Sequence, residues 1–216
     1  MTMNSIKSLL SIGLLATMAV IFTACKDDSP APDPVIATTT TDLAADPGTG
    51  IDPNNGQPIG ITNKFTLFSF KTGAVVLNAD SATTNWDVGF RRTTIIVNGG
   101  TSGPGAAGAI VKSGLFDEIL EAPADGYAVD DKNSTTSKYA IPTGSGNGWY
   151  TYDGGAQVIK PTAGKVLIFR TADSRYAKVE ILSYYKGAKT SPVNTDIAGY
   201  YSFRYVYQPN DKKSFQ

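Results

Sequence analysis

The stretch Tyr200-Tyr201-Ser202-Phe203-Arg204-Tyr205-Val206-Tyr207 alternates, with Tyr201, Phe203, Tyr205 and Tyr207 on one side and Ser202 and Arg204 on the other. A period of two matches the pleat of a β-strand and no face of a helix, so this segment is predicted to be a strand with one side buried. Further strands are predicted at 64–70, 75–78, 85–92, 94–98, 149–152, 157–160, 165–171 and 176–184, separated by clusters of Gly, Pro, Asn and Asp. Only 113–120 has a spacing that could turn as a helix. Residues 61–216 therefore read as a single all-β domain, predominantly antiparallel, with long loops and enough chain for a real core. No internal repeat of roughly 20 to 50 residues interrupts that reading.

Two segments precede the domain. Residues 1–24 carry Lys7 and then, over 9–22, a mostly apolar run that is shorter than the ~20 residues a membrane span needs. The run ends in Phe22-Thr23-Ala24-Cys25, which resembles the bacterial lipoprotein signal: an apolar residue, two small ones, then a cysteine that is acylated and becomes the first residue after cleavage behind Ala24. Cys25 is the only cysteine, and a lone exposed thiol in an oxidising compartment is a liability where a thioether-linked lipid is not. At about 0.8 kcal/mol per buried methylene, more than one acyl chain holds a protein stably on membrane lipid. Lys26-Asp27-Asp28 resembles the lysine-plus-acids signal that directs lipoproteins of Bacteroidetes to the cell surface. The expected location is thus the outer membrane, lipid-anchored and facing the cell exterior. Residues 25–60 contain Pro30, Pro32, Pro34, Pro47, Pro53 and Pro58 and no aromatic residue, and read as the lipidated cysteine followed by a flexible tether, with a coil reach of about 30 Å.

Several chemistries are excluded by composition. The chain has no histidine, and no cysteine follows position 25, so neither a Ser-His-Asp nor a Cys-His arrangement nor a soft-ligand zinc site can be assembled. Asp125, Asp130 and Asp131 cluster in one predicted loop, where solvated carboxylates are a simpler reading than a glycosidase pair. Gly103-Pro104-Gly105-Ala106-Ala107-Gly108 spells G-x-G-x-x-G, but no βαβ unit surrounds it, and a surface hairpin loop is expected. Lys plus Arg equal Asp plus Glu at 19 each, and loss of Lys7 with the signal leaves a slight acidic excess. Nucleic acid, which asks for a basic surface, is not an expected partner. No enzyme activity is expected.

Asn85-Trp86-Asp87-Val88-Gly89-Phe90-Arg91-Arg92, followed by Asn98-Gly99-Gly100, resembles the HmuY family of haem-binding lipoproteins of Bacteroidetes. Further stretches match that family in order: 116–123, Trp149-Tyr150-Thr151-Tyr152, 166–171 with Tyr176-Ala177-Lys178, and Ser183-Tyr184-Tyr185 ahead of 199–205. The resemblance spans 61–216. Read physically, most of these residues are scaffold, with Trp86, Val88 and Phe90 on one strand face, Asp87 and Arg91 paired on the other, and glycines at turns.

The resemblance implies an all-β HmuY-like fold, exposure on the outer membrane, and capture of haem for delivery to a TonB-dependent receptor. It also implies axial iron ligands, histidines or methionines, on loops over the haem. Here the only methionines are Met1, Met3 and Met18, all in the signal. The ligand loops correspond to 124–139 and 149–159, with Gln157 near one ligand position. Ferric haem accepts tyrosinate in some proteins, although a phenol near pKa 10 costs about 4 kcal/mol to ionise at neutral pH. Tyr127, Tyr139, Tyr150 and Tyr152 are therefore the candidate haem-binding residues beside Gln157, with Lys132 and Lys138 behind them. For each tyrosine the alternative is a packed ring with its hydroxyl at the surface. Two functions stay open: a binder of haem or a related tetrapyrrole, and a surface lipoprotein of the same fold that binds a glycan, a protein or another small ligand instead.

Overall fold

The computed structural model describes Met1 and residues 33–54, 58–133 and 138–216. The lipidation residue Cys25 and the export residues Lys26, Asp27 and Asp28 lie outside the described residues. Strands follow in the order β1 (Ile36–Ala44), β2 (Gly50–Ile51), β3 (Pro58–Ile59), β4 (Thr66–Ser69), β5 (Ala74–Val76), β6 (Val88–Arg91), β7 (Thr94–Val97), β8 (Gly108–Ser113), β9 (Tyr150–Asp153), β10 (Val158–Pro161), β11 (Lys165–Arg170), β12 (Tyr176–Tyr185) and β13 (Ala198–Gln208). One antiparallel sheet has the order β1-β13-β12-β11-β8 and a second has β5-β4-β6-β7, while β9-β10 and β2-β3 form two-stranded ribbons. The all-β, antiparallel fold expected from the alternation is present.

The alternation on β13 decides how the sheets meet. Tyr201, Phe203, Tyr205 and Tyr207 all point into the core shared with the four-stranded sheet. Phe203 lies 5.4 Å from Phe68 of β4 and 5.5 Å from Phe90 of β6, and Phe169 of β11 lies 5.2 Å from Phe70. Such ring pairs each contribute about 0.5–1.5 kcal/mol beyond the area they bury. The opposite face of the five-stranded sheet carries a smaller core, in which Val166, Ile168 and Val206 meet Phe116, Ile119 and Phe215. Strand β11 is buried on both faces, which explains its nearly unbroken apolar run.

Lys178 on β12 fixes that second layer. Its Nζ donates to the carbonyls of Phe116 (2.7 Å) and Ile119 (2.9 Å) and lies 4.4 Å above the Phe116 ring. These contacts also correct the helix expected at 113–120. Phe116 and Ile119 have helix-like spacing, but their carbonyls are bound by the lysine, and only a 3-10 turn over Phe116–Glu118 forms.

The tether reading of 26–60 is corrected from Ile36 onward. Residues Ile36–Ala44 pair with β13 along the sheet edge, and Leu43 and Ala45 enter the core. The run Thr38-Thr39-Thr40-Thr41 hides this strand, because its stabilisation comes from the backbone ladder and β-branched side chains rather than from apolar alternation. The expected Asp87–Arg91 pair is also absent. Asp87 turns inward and accepts from the backbone N–H groups of Phe70 (2.8 Å) and Ala172 (3.0 Å), tying three segments together. Arg91 instead donates to the Asn63 carbonyl and lies over the Phe65 ring. Trp86 packs with Leu67 and Ile96 on the outer side of the four-stranded sheet, away from Val88 and Phe90.

The Gly103–Gly108 stretch is not a hairpin. It carries the chain from β7 in one sheet to β8 in the other. Gly105 N donates to Asn98 Oδ1, and a Cβ at Gly103 would collide with the Asn98 side chain, so close packing against Asn98 is what demands glycine here.

Candidate functional site

A cavity of about 630 Å³ opens where four connections meet: the corner after β1, the turn between β6 and β7 at Arg92, the β9–β10 hairpin, and the segment leading into β13. That volume lies in the range of small-molecule sites. Its walls include Tyr152, Ile159, Tyr184, Tyr185, Ile197 and Tyr200, an aromatic and aliphatic lining of the kind that accepts a flat apolar ligand.

Local hydrogen bonds hold each wall in place. Asp46 accepts from the backbone N–H of Thr62 (2.7 Å) and Asn63 (2.8 Å) and from the Thr62 hydroxyl (2.9 Å), which fixes the corner after β1. Burial pushes the Asp46 carboxyl up, but those bonds and the Arg91 charge outweigh it and hold the group below its ordinary range. Beside it Pro47 packs on Gly199, whose φ of 87° and lack of a Cβ permit the approach. The hairpin is anchored by Tyr152 N donating to Ser145 Oγ at 2.8 Å, and by Ile159 N donating to the Tyr185 hydroxyl at 2.8 Å. Asn194 Nδ2 donates to Gln157 Oε1 at 3.3 Å, linking the hairpin to the segment before β13. Burial raises the Tyr184 hydroxyl well above the ordinary phenol range, with the Arg92 charge pulling the other way. Tyr185 is raised by burial too, partly offset by its bond from Ile159.

Of the residues predicted from sequence, the structure brings Tyr152 and Gln157 together at this cavity. Tyr152 is 49% exposed, and Gln157 stands at the hairpin tip with φ 57°. Tyr150 is buried in the core, its ring 4.9 Å from that of Trp149. Tyr127 lies on the outer face of the five-stranded sheet, where its hydroxyl donates to the Pro123 carbonyl and its ring faces Tyr176 and Arg170. Tyr139 packs in the Trp86 cluster. Lys132 and Lys138 are exposed. In the acidic loop, Asp130 is buried and accepts from Val97 N and Ala140 N, with burial raising its pKa. It is a structural clasp, not half of a carboxylate pair. Among the described residues no three His, Cys, Asp or Glu side chains cluster to hold a metal, and no helix is long and apolar enough to cross a membrane.

Arg92, Tyr184, Tyr185 and the segment before β13 were not singled out by sequence reasoning as site residues. Tyr184, Tyr185 and Arg92 lie inside stretches read as scaffold, and the one available signal was two adjacent tyrosines at the end of a strand whose alternation cannot bury both rings on one face.

The two antiparallel sheets thus carry a loop-walled cavity with an aromatic and aliphatic lining, built from connections rather than from the space between the sheets. The chain belongs to the HmuY family: the family model described as HmuY protein matches residues 62–205. Among solved structures, the apo HmuY analog of Tannerella forsythia matches with 16% identity and a TM-score of 0.50, covering 83% of this chain and 99% of that one. A Bacteroides vulgatus protein described as HmuY-like and haem-binding matches with 16% identity and a TM-score of 0.43, covering 65% of this chain and 83% of its own. A Bacteroides fragilis protein described as a lipoprotein matches at 16% and 0.43, covering 67% and 86%. No curated protein matches the chain by sequence.

Proposed function

We propose that this protein is a lipid-anchored outer-membrane protein that takes haem or a related tetrapyrrole into the cavity between Tyr152, Tyr184 and Tyr200 and passes it to an outer-membrane receptor. The observation that carries the reading is an aromatic cavity of about 630 Å³ in a member of the HmuY family. The lipoprotein-like Phe22-Thr23-Ala24-Cys25 supports the anchor, and Lys26-Asp27-Asp28 supports exposure on the cell surface.

The residues present fit the ring better than they fit the metal. Apolar walls hold a porphyrin at about 25 cal/mol per Å² of apolar surface buried. Bound haem would bring a ferric ion open to axial ligation. The mature chain offers no histidine or methionine for it, and Tyr152 is the one sequence-predicted tyrosine beside the cavity. Tyr184 and Tyr185 are kept protonated by burial and serve as walls and donors. Affinity therefore comes from burial of the ring, and binding is weaker than with paired histidines. The lack of both usual ligand types favours a second reading, in which the same cavity takes an apolar ligand without iron.

Titration of the mature chain, residues 25–216, with ferric haem separates the two. The expected result is a saturable Soret shift of high-spin character that Tyr152→Phe perturbs and Tyr127→Phe and Tyr139→Phe do not. Absence of any shift at high micromolar haem would move the assignment to the iron-free ligand.

A further inference from the structure

Arg92 is held in an unusual way. Its φ is 49°, in the left-handed region that few side-chain-bearing residues adopt unless the surroundings enforce it. The surroundings do so: Arg92 N donates to the Ala45 carbonyl at 2.6 Å, and the Arg92 carbonyl accepts from the Tyr201 hydroxyl at 2.8 Å. The backbone is thus pinned from β1 and from β13, while the side chain lines the cavity with no described carboxylate in ion-pair reach.

Tyr184 is the complementary case. It is 4% exposed and lines the same cavity, yet its hydroxyl has no hydrogen-bond partner among the described residues. The Arg92 charge acts on that hydroxyl, and burial keeps it protonated, so it stands as a donor. The two acids at the cavity are already engaged. Asp46 is bound by Thr62 and Asn63, and Asp196 accepts from Val193 N and lies 3.6 Å from Lys189. Among the groups on these walls are an arginine on a pinned backbone, its exposed guanidinium without an ion-pair partner among the described residues, and a buried phenolic donor, a pair that can receive a carboxylate.

We propose that Arg92 and Tyr184 form a carboxylate subsite, so that the ligand is an amphipathic acid: an apolar planar body against Tyr152, Tyr200 and Ile197, with a carboxylate at Arg92. The inference rests on the tetrapyrrole reading, in which the carboxylate is a ring propionate. It gives the Arg92 side chain a partner at a cavity whose two acids are already engaged, and it makes Arg92 and Tyr184 select acids over neutral analogues of the same shape.

The test titrates the mature chain with iron-free protoporphyrin IX and with its dimethyl ester, both delivered from the same micellar stock, for wild type, Arg92→Gln, Arg92→Lys and Tyr184→Phe. Thermal unfolding of each variant reports whether the fold is kept. The expected result is that Arg92→Gln and Tyr184→Phe each weaken binding of the acid about tenfold while leaving the ester unchanged, as for loss of a charge-assisted bond, and that Arg92→Lys restores much of the difference. Equal losses for acid and ester, or no loss for either, would overturn the subsite while leaving the tetrapyrrole reading in place. No binding of either compound by the wild type would overturn that reading and the subsite with it.

Discussion

Removal of residues 25–60 from the mature chain should destabilise the domain, because β1 is part of the sheet. The deletion takes away Leu43 and Ala45, both buried in the main core, and leaves the edge of β13 exposed along a register that runs from Ile36 opposite Tyr207 to Ala44 opposite Tyr200. Loss of a buried leucine side chain alone costs about 2–5 kcal/mol. The ladder hydrogen bonds add about 0.5–1.5 kcal/mol each, but the entropy of ordering the strand, about 1–2 kcal/mol per residue, offsets most of that. The net expectation is about 3 kcal/mol, or roughly 6–12 °C in the unfolding midpoint of a domain this size. Thermal and urea unfolding of 25–216 against 61–216 measures it, with Leu43→Ala in the full mature chain isolating the core contribution and the exposed Thr39→Ala expected to stay within about 0.5 kcal/mol. A midpoint for 61–216 within about 2 °C of the parent would refute the reasoning and restore the whole stretch as a tether.

Three more outcomes follow from particular residues. Asp87 is raised to about 6 by burial, against an unfolded value near 3.8, so the folded state binds the extra proton between those values and stability falls as pH rises from about 4 through 6. The Asp87 contribution to that fall is about 3 kcal/mol at most, Asp130 acts in the same direction, and urea unfolding at pH 4.5 and 7 of wild type and Asp87→Asn should show the slope flattened in the variant. Lys178→Met leaves the carbonyls of Phe116 and Ile119 without their donor, at a cost of about 1–3 kcal/mol, and hydrogen exchange should rise selectively over 115–121; uniform exchange would contradict the role of Lys178 in fixing that layer. Cys25→Ser should release the protein or leave an unprocessed precursor, while alanines at Lys26, Asp27 and Asp28 should keep the anchor and lose access to protease added outside cells; unchanged protease sensitivity would discredit the export signal.

The parts of the fold legible in sequence are those whose apolar residues alternate, as in β13, or run nearly unbroken, as in β11. Strand β13 announces itself by alternation, and the β6–β7 pair by short apolar runs on either side of Arg91-Arg92-Thr93. Strand β1 does not, since four threonines in a row carry no periodic signal and its register is imposed by β13. Strand β8 is masked in the same way by its glycine and alanine start, with Gly108 meeting Tyr127 and Ala128 too closely for a larger residue. At the site, Tyr152 and Gln157 could be found because they lie together on one hairpin. Arg92, Tyr184 and Asp46 come from segments far apart in the chain, and the pairing of β1 and β12 with β13, together with the bond from Ile159 of the hairpin to Tyr185 of β12, brings them to one cavity. The four tyrosines weighed as iron donors share a residue type but not a location, because Tyr127 and Tyr139 belong to packing layers on the outer faces of the two sheets.

The central claim is that the tetrapyrrole sits in the cavity beside Tyr152 and Tyr184. Thr195 lines the mouth of that cavity and is exposed, so Thr195→Trp fills the space without disturbing the core. Ferric haem titrated into the mature wild-type chain and into this variant gives the direct measurement. The expected result is one equivalent bound to the wild type with a high-spin Soret band, and at least tenfold weaker binding to the variant at an unchanged unfolding midpoint. Equal binding by the two proteins would place the ligand elsewhere, and a low-spin six-coordinate spectrum would contradict an iron held without paired axial ligands.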